Sequence, residues 1–221
     1  MVERTCAEWL HLSAGCVEAF QNLIAEASFD GDDSARAGAL VNAVHDAWDF
    51  AYASLSLAQT EVWGPARALL RGLNEREWWL VALHNDAKFA RDVIAESAQW
   101  EAGGKAPRGG FRRAQRIWER HFAQFGDGRD GPARIAATDH LYRARAADDH
   151  PSIFAAKWAA IAVAHPDSSI ASHFGWDIAA AISSATFSAT GVAIERGNGG
   201  PNTKQALDVS SRLLRLVIEE R

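Results

Sequence analysis

Cysteine, methionine, tyrosine and proline are scarce in this chain: its 221 residues hold 2 Cys, 1 Met, 2 Tyr and 6 Pro. Cys6 and Cys16 fall within one continuous helical pattern. Their separation corresponds to about 15 Å of helical rise, whereas a disulfide tolerates at most about 7 Å between Cα atoms. They are expected as reduced thiols on a buried stripe, the usual state in the cytoplasm. Long apolar runs are also lacking, so no membrane span and no membrane partner are expected. The acids and the tryptophan near the start do not compose a signal peptide, and the chain reads as cytoplasmic. Sustained period-two alternation of β-branched residues is absent, which argues against a sheet.

The standard catalytic signatures are missing as well. No phosphate loop, Gly-x-Ser-x-Gly elbow, Cys-x-x-Cys pair or His-Glu-x-x-His helix occurs. A dimetal bundle needs two Glu-x-x-His pairs, and only Glu8 and His11 supply one. The acidic loop Phe29-Asp30-Gly31-Asp32-Asp33-Ser34 lacks the regular spacing and closing Glu of a calcium loop. His45-Asp46 and the nearby His84 and Asp86 could begin a metal site. Such a site needs four to six converging donors, and the simpler reading is partly exposed helix residues. No metal and no cofactor are expected.

What is present points to helices. Charged residues make up 23% and apolar residues 48%, the balance of a globular chain rather than a disordered one. Nine Trp are many for this length, and Trp9, Trp48, Trp118 and Trp158 are expected to be largely buried where helices meet. Cys6, Trp9, Val17, Phe20 and Leu23 recur at helical spacing from about Val2 to Ala27. Asp33 or Ser34 can cap a second helix reaching about Gln59, with Leu40, Val41, Val44, Ala47, Trp48, Ala51 and Leu55 inward. Pro65 suits the first turn of a third segment running toward Trp100, with a bend near His84-Asn85-Asp86. Glycines 103, 104, 109 and 110, with Pro107, mark a loop. Further helices are expected from Phe111 to Phe125, through Leu141 and Tyr142, through Trp158 to Ala164, from Ile170 to Ile194, and from Asn202 to Arg221. The whole reads as an all-α, single-domain bundle of about six to eight helices spanning residues 1–221.

Three groups of residues carry candidate chemistry. Arg71 and Glu75 stand one helical turn apart among apolar neighbours, a spacing suited to a half-buried pair that fixes helix packing. Arg112, Arg116 and Arg120 form an i,i+4 row opposite Trp118, with His121 beside them. Like charges in such a row repel unless acids, phosphates or a partner compensate them. Either a solvated face or a contact to an anion or an RNA backbone follows. The net charge of −5 opposes nucleic-acid affinity of the whole protein but leaves room for such a local face. Lastly, Arg143 and Arg145 closely precede His150. An imidazole can move a proton at a ribose 2′-hydroxyl while a guanidinium steadies the phosphorane, which cleaves RNA without metal.

In order, these features resemble the HEPN-like helical bundles and the bacterial families grouped with them. There, a helix with Ala-x-x-Leu-x-Arg…Glu precedes one ending in Tyr-Arg-x-x-Ser-x-x-x-His-Pro-Ser. Arg71 and Glu75 match the first pattern; Tyr142, Arg143, His150, Pro151 and Ser152 match the second. The resemblance covers roughly residues 65–170. It implies a helical fold, frequent dimerisation and, for active members, metal-independent RNA cleavage in toxin–antitoxin or phage-defence settings. Ala146 stands where that pattern has Ser, and His165-Pro166 offers a second counterpart for the His-Pro pair, with Lys157 or Trp158 then in the Arg position. Two functions are therefore expected as alternatives. One is a non-catalytic interaction bundle with an RNA or protein partner; the other is an endoribonuclease using Arg143, Arg145 and His150. Apolar residues in the closing helix (Leu207, Leu213, Leu214, Leu216, Val217, Ile218) and small residues before it (Ser183, Ser184, Ala185, Ala189) suggest a homodimer built by the last two helices.

Overall fold

Helix ends in this chain are written into short polar side chains, and they set the order of the elements. A computed structural model describes residues 4–29, 33–105, 110–123 and 153–220. Thr5 and Glu8 start α1 (Cys6–Glu26) with a reciprocal capping box, Thr5 Oγ1 accepting from the Glu8 N–H at 3.3 Å and Glu8 Oε2 from the Thr5 N–H at 2.7 Å. Asp33 caps α2 (Ser34–Gln59) by accepting from the Arg36 N–H at 3.0 Å. Asp86 ends α3 (Trp63–Asn85) and begins α4 (Ala87–Glu101), its Oδ1 accepting from the Phe89 N–H at 2.8 Å. The bend expected near His84–Asp86 is thus a full break between two helices. After α5 (Phe111–Ala123) and α6 (Ile153–Ala164), Ser168 caps α7 (Ser169–Glu195). The last helix, α8 (Pro201–Glu219), begins at Gly200, which has no side chain to cap it. Glu26 at the end of α1 takes over that role and accepts from the Asn202 and Thr203 N–H groups at 3.2 and 3.3 Å. A carboxylate there also faces the positive end of the helix dipole.

The described residues form an all-helical bundle of eight helices, with no strand among them. At its centre lies α7, which packs chiefly against α1, α3 and α8. Small side chains make this close approach possible. A Cβ on Gly175 would sit 2.9 Å from Trp9 Cβ and 3.0 Å from the Cys6 carbonyl, so α1 rests on the α7 backbone. Three buried hydroxyls of α7 bond to their own helix and so cost little: Ser183 donates to the Ala179 carbonyl at 2.7 Å, and Thr186 and Thr190 donate one turn back at 2.8 Å. Trp9, Phe20 and Leu23 of α1 are essentially inaccessible, each worth about 1.5–3 kcal/mol of apolar burial. Cys6 and Cys16 are free and buried, as expected.

Three expectations need correction. Trp9 and Trp118 are buried, but Trp158 is 46% exposed and Trp48 only half-buried, stacked on Tyr52 at 5.3 Å. The sequence of α6 is apolar nearly all round, so periodicity could not say which face of that helix turns inward. Val41 is likewise exposed rather than inward. The expectation that no apolar run could cross a bilayer also fails on length and composition, because the 27 residues of α7 meet that test. Their apolar window is 83% buried inside the bundle: this is the core helix.

Candidate nucleic-acid interface

The two faces of α5 differ sharply in chemistry. Ala114, Ile117, Trp118 and Phe122 turn inward, while Arg112, Arg116 and Arg120 are exposed. Trp118 anchors the helix, its Nε1 donating to Glu77 Oε1 of α3 at 3.1 Å. Ser184 and Ser188 of α7 donate to the same oxygen at 2.9 and 2.8 Å. Glu77 is fully buried, so this carboxyl group ties α3, α5 and α7 together and fixes which way the arginines point.

Arg113, the arginine off the row, is neutralised. Its Nη1 lies 2.7 Å from Asp92 Oδ2, and its guanidinium sits over Phe89. Bonds from Arg113 and then Lys88 hold the Asp92 carboxyl below its ordinary value. Among the described residues, Arg112, Arg116 and Arg120 form no such pair; Arg120 only donates to the Arg116 carbonyl, at 3.4 Å. On the neighbouring helices, Asp92 serves Arg113 and Glu75 serves Arg71.

A groove of about 380 Å³ runs along this row, lined by Arg71, Phe111, Arg112, Gln115, Arg116 and Glu119. It brings together two features that were separate in sequence. Arg71 pairs with Glu75 as the spacing predicts, Nε to Oε1 at 3.3 Å, both side chains partly exposed. The same arginine forms the α3 wall of the groove opposite Arg112 and Arg116. His121 does not join the row: its ring meets Phe122 edge-on, with centroids 5.0 Å apart.

Arg143, Arg145 and His150, with Tyr142, Pro151 and Ser152, lie outside the described residues. His165 and Lys157 are exposed on α6 and the turn after it. No group of three or more His, Cys, Asp or Glu able to hold a metal occurs among the described residues. Glu8 is spent on its capping box and His11 is exposed. His45 and Asp46 point outward from α2, while His84 bonds through Nε2 to Glu195 Oε2 at 2.5 Å. Burial pushes the His84 pKa down, against the pull of Glu195.

Two functional-looking acids were missed from sequence, Glu77 and Asp177. Asp177 is buried and lies 3.4 Å from Arg67, whose guanidinium covers the Phe174 ring at 4.4 Å. A signal existed. Glu77 continues the Leu70, Leu73 and Leu80 stripe of α3, and Asp177 stands between Phe174 and Ile178 on α7. An acid in a core register announces a partner. The small residues Ser183, Ser184, Ala185 and Ala189 are buried within the chain's own core. In α8, Leu213 and Val217 are buried too, and Ile218 is exposed. The chain matches no protein-family model, no curated protein and no solved structure.

Proposed function

We propose that this protein is a non-catalytic helical interaction module that holds the phosphate backbone of RNA against α5. One observation carries this reading: three exposed arginines, one turn apart, stand without ion pairs among the described residues beside a groove that also contains Arg71. Each neighbouring like-charged pair costs about 0.2–0.5 kcal/mol. Phosphate contacts turn that repulsion into attraction and release counterions. Arg is the residue suited to it, since its planar fork matches phosphate oxygens.

Fluorescence anisotropy of a labelled single-stranded RNA tests the proposal. Binding is expected near 50 mM salt, with a log–log salt slope of about −2, as about three phosphate contacts imply. Replacing Arg112, Arg116 and Arg120 together with Gln should abolish binding at the same salt, and each single replacement should reduce the slope by about 0.7. Unchanged binding by the triple variant, or none by the wild type, would refute the reading. The same samples, kept with chelator, report on the alternative. Intact RNA agrees with a binding module, whereas cleavage lost in His150→Ala would establish the endoribonuclease reading through Arg143, Arg145 and His150.

A further inference from the structure

A second cleft, of about 460 Å³, opens between α2, α3 and α4 on the other side of the Arg71–Glu75 pair. Its size falls within the range of small-molecule sites, about 300–1,000 Å³. Trp79, Leu83, Val93 and Ala43 give it an apolar floor, and its rim is polar.

Two rim residues are placed in an unusual way. Arg76 is half-buried, with its guanidinium 4.1 Å from the centroid of the Phe50 ring, and among the described residues it has no ion pair. Its one hydrogen bond there is a long one, 3.5 Å, to the Gly72 carbonyl. The platform beneath it depends on Gly72: a Cβ there would lie 2.7 Å from Phe50 Cδ1, so the absent side chain is what lets the ring lie against α3. Holding a half-buried cation on an aromatic face without an acid leaves its donors for something else. Asp46, one helical turn before Phe50 on α2, also lines the cleft, exposed and likewise without an ion pair among the described residues. Glu75 also reaches the rim, but it is engaged by Arg71.

The rim therefore offers one uncommitted cation and one uncommitted anion above an apolar floor. A ligand of net zero charge, with a carboxylate, an ammonium group and an apolar body, matches all three. We infer that the α2–α3–α4 cleft binds an α-amino acid with a large apolar side chain. Its carboxylate meets Arg76 in a charge-assisted bond, its ammonium group faces Asp46, and its side chain covers Trp79 and Leu83. Asn42 and Ser97 supply further polar atoms at the rim. None of these residues belongs to the α5 row, so the inference stands independently of RNA binding.

Calorimetric titration of the full chain with L-tryptophan, L-phenylalanine and L-leucine tests it. Saturable binding is expected for these, and none for glycine or for L-tryptophan amide, which lacks the carboxylate. Arg76→Gln should weaken binding by about tenfold or more, with Arg76→Lys in between. Asp46→Asn should weaken the amino acids yet leave indole-3-propionate, which has no amine, unaffected. Asp46 is exposed, so its variant keeps the test decisive even where an Arg76 substitution disturbs folding. No heat with any of the three amino acids at millimolar concentration would overturn the inference. Equal affinity of wild type, Asp46→Asn and a folded Arg76→Gln would do so too.

Discussion

Replacing Glu77 with Leu should cost about 2–4 kcal/mol, and the figure follows from the fate of three donors. Glu77 Oε1 accepts from Trp118 Nε1, Ser184 Oγ and Ser188 Oγ at 2.8–3.1 Å in a fully buried position. The serines have a local alternative. Each can rotate to the carbonyl one turn back, as Ser183 and Thr186 on the same helix already do, recovering most of its bond. An indole N–H has no such rotation. Deprived of Glu77 in the interior, it incurs a desolvation penalty of about 1–3 kcal/mol. Losses at the serines and imperfect packing of the branched side chain add to this, while the apolar burial of Leu offsets part. Urea unfolding followed by circular dichroism gives the number without depending on Trp118 fluorescence. A double-mutant cycle with Trp118→Phe should show a coupling of about 1–2 kcal/mol. Stability at or above wild type for Glu77→Leu, or strict additivity with Trp118→Phe, would show that the carboxyl group is not what joins α3, α5 and α7.

Three other outcomes are expected. Gly72→Ala should lower stability by at most about 2 kcal/mol, because displacing Phe50 from α3 costs about 1–3 kcal/mol and relief of a helix-interior glycine returns about 0.5–1 kcal/mol; calorimetric melting will read the difference. The folded pKa of His84 lies below its ordinary value, so the unfolded chain binds that proton more readily. Stability should fall as pH drops below about 6.5 until the folded pKa is passed, and His84→Gln should flatten this limb of a pH–stability profile. Burial pushes the thiol pKa of Cys6 to about 11 and that of Cys16 to about 12. A disulfide reagent at pH 8 should therefore titrate neither cysteine in the native protein and both in denaturant; prompt native labelling would contradict the packing of α1 on α7.

Much of the fold is legible in the sequence because caps and periodicity are local. Thr5, Asp33, Asp86 and Ser168 each stand just before an apolar repeat, and α1, α2, α7 and α8 begin and end within a few residues of where that pattern puts them. The orientation of α6 was illegible, since an almost uniformly apolar helix carries no facing information, and this is why Trp158 was misplaced. At the basic face, the row Arg112–Arg116–Arg120 could be read from i,i+4 spacing alone. Its meeting with Arg71 could not, because α3 and α5 are far apart in sequence and meet only through tertiary packing, to which the Trp118–Glu77 bond contributes. The amino-acid cleft depends on three helices at once and on a glycine whose importance shows only when Phe50 is seen against it.

The capping of α8 by Glu26 bears on how the protein is made. The helix α1 packs chiefly on α7 and α8 and less on α2, and the carboxylate at its end has its partners at Asn202 and Thr203. A ribosome adding about 5–20 residues per second needs roughly 10–30 s to pass from α1 to α7. Throughout that interval the nascent chain displays an apolar stripe that α2, its smaller contact, covers only in part. Chaperone engagement, and any aggregation during overexpression, should therefore concentrate on α1 until α7 and α8 have been translated.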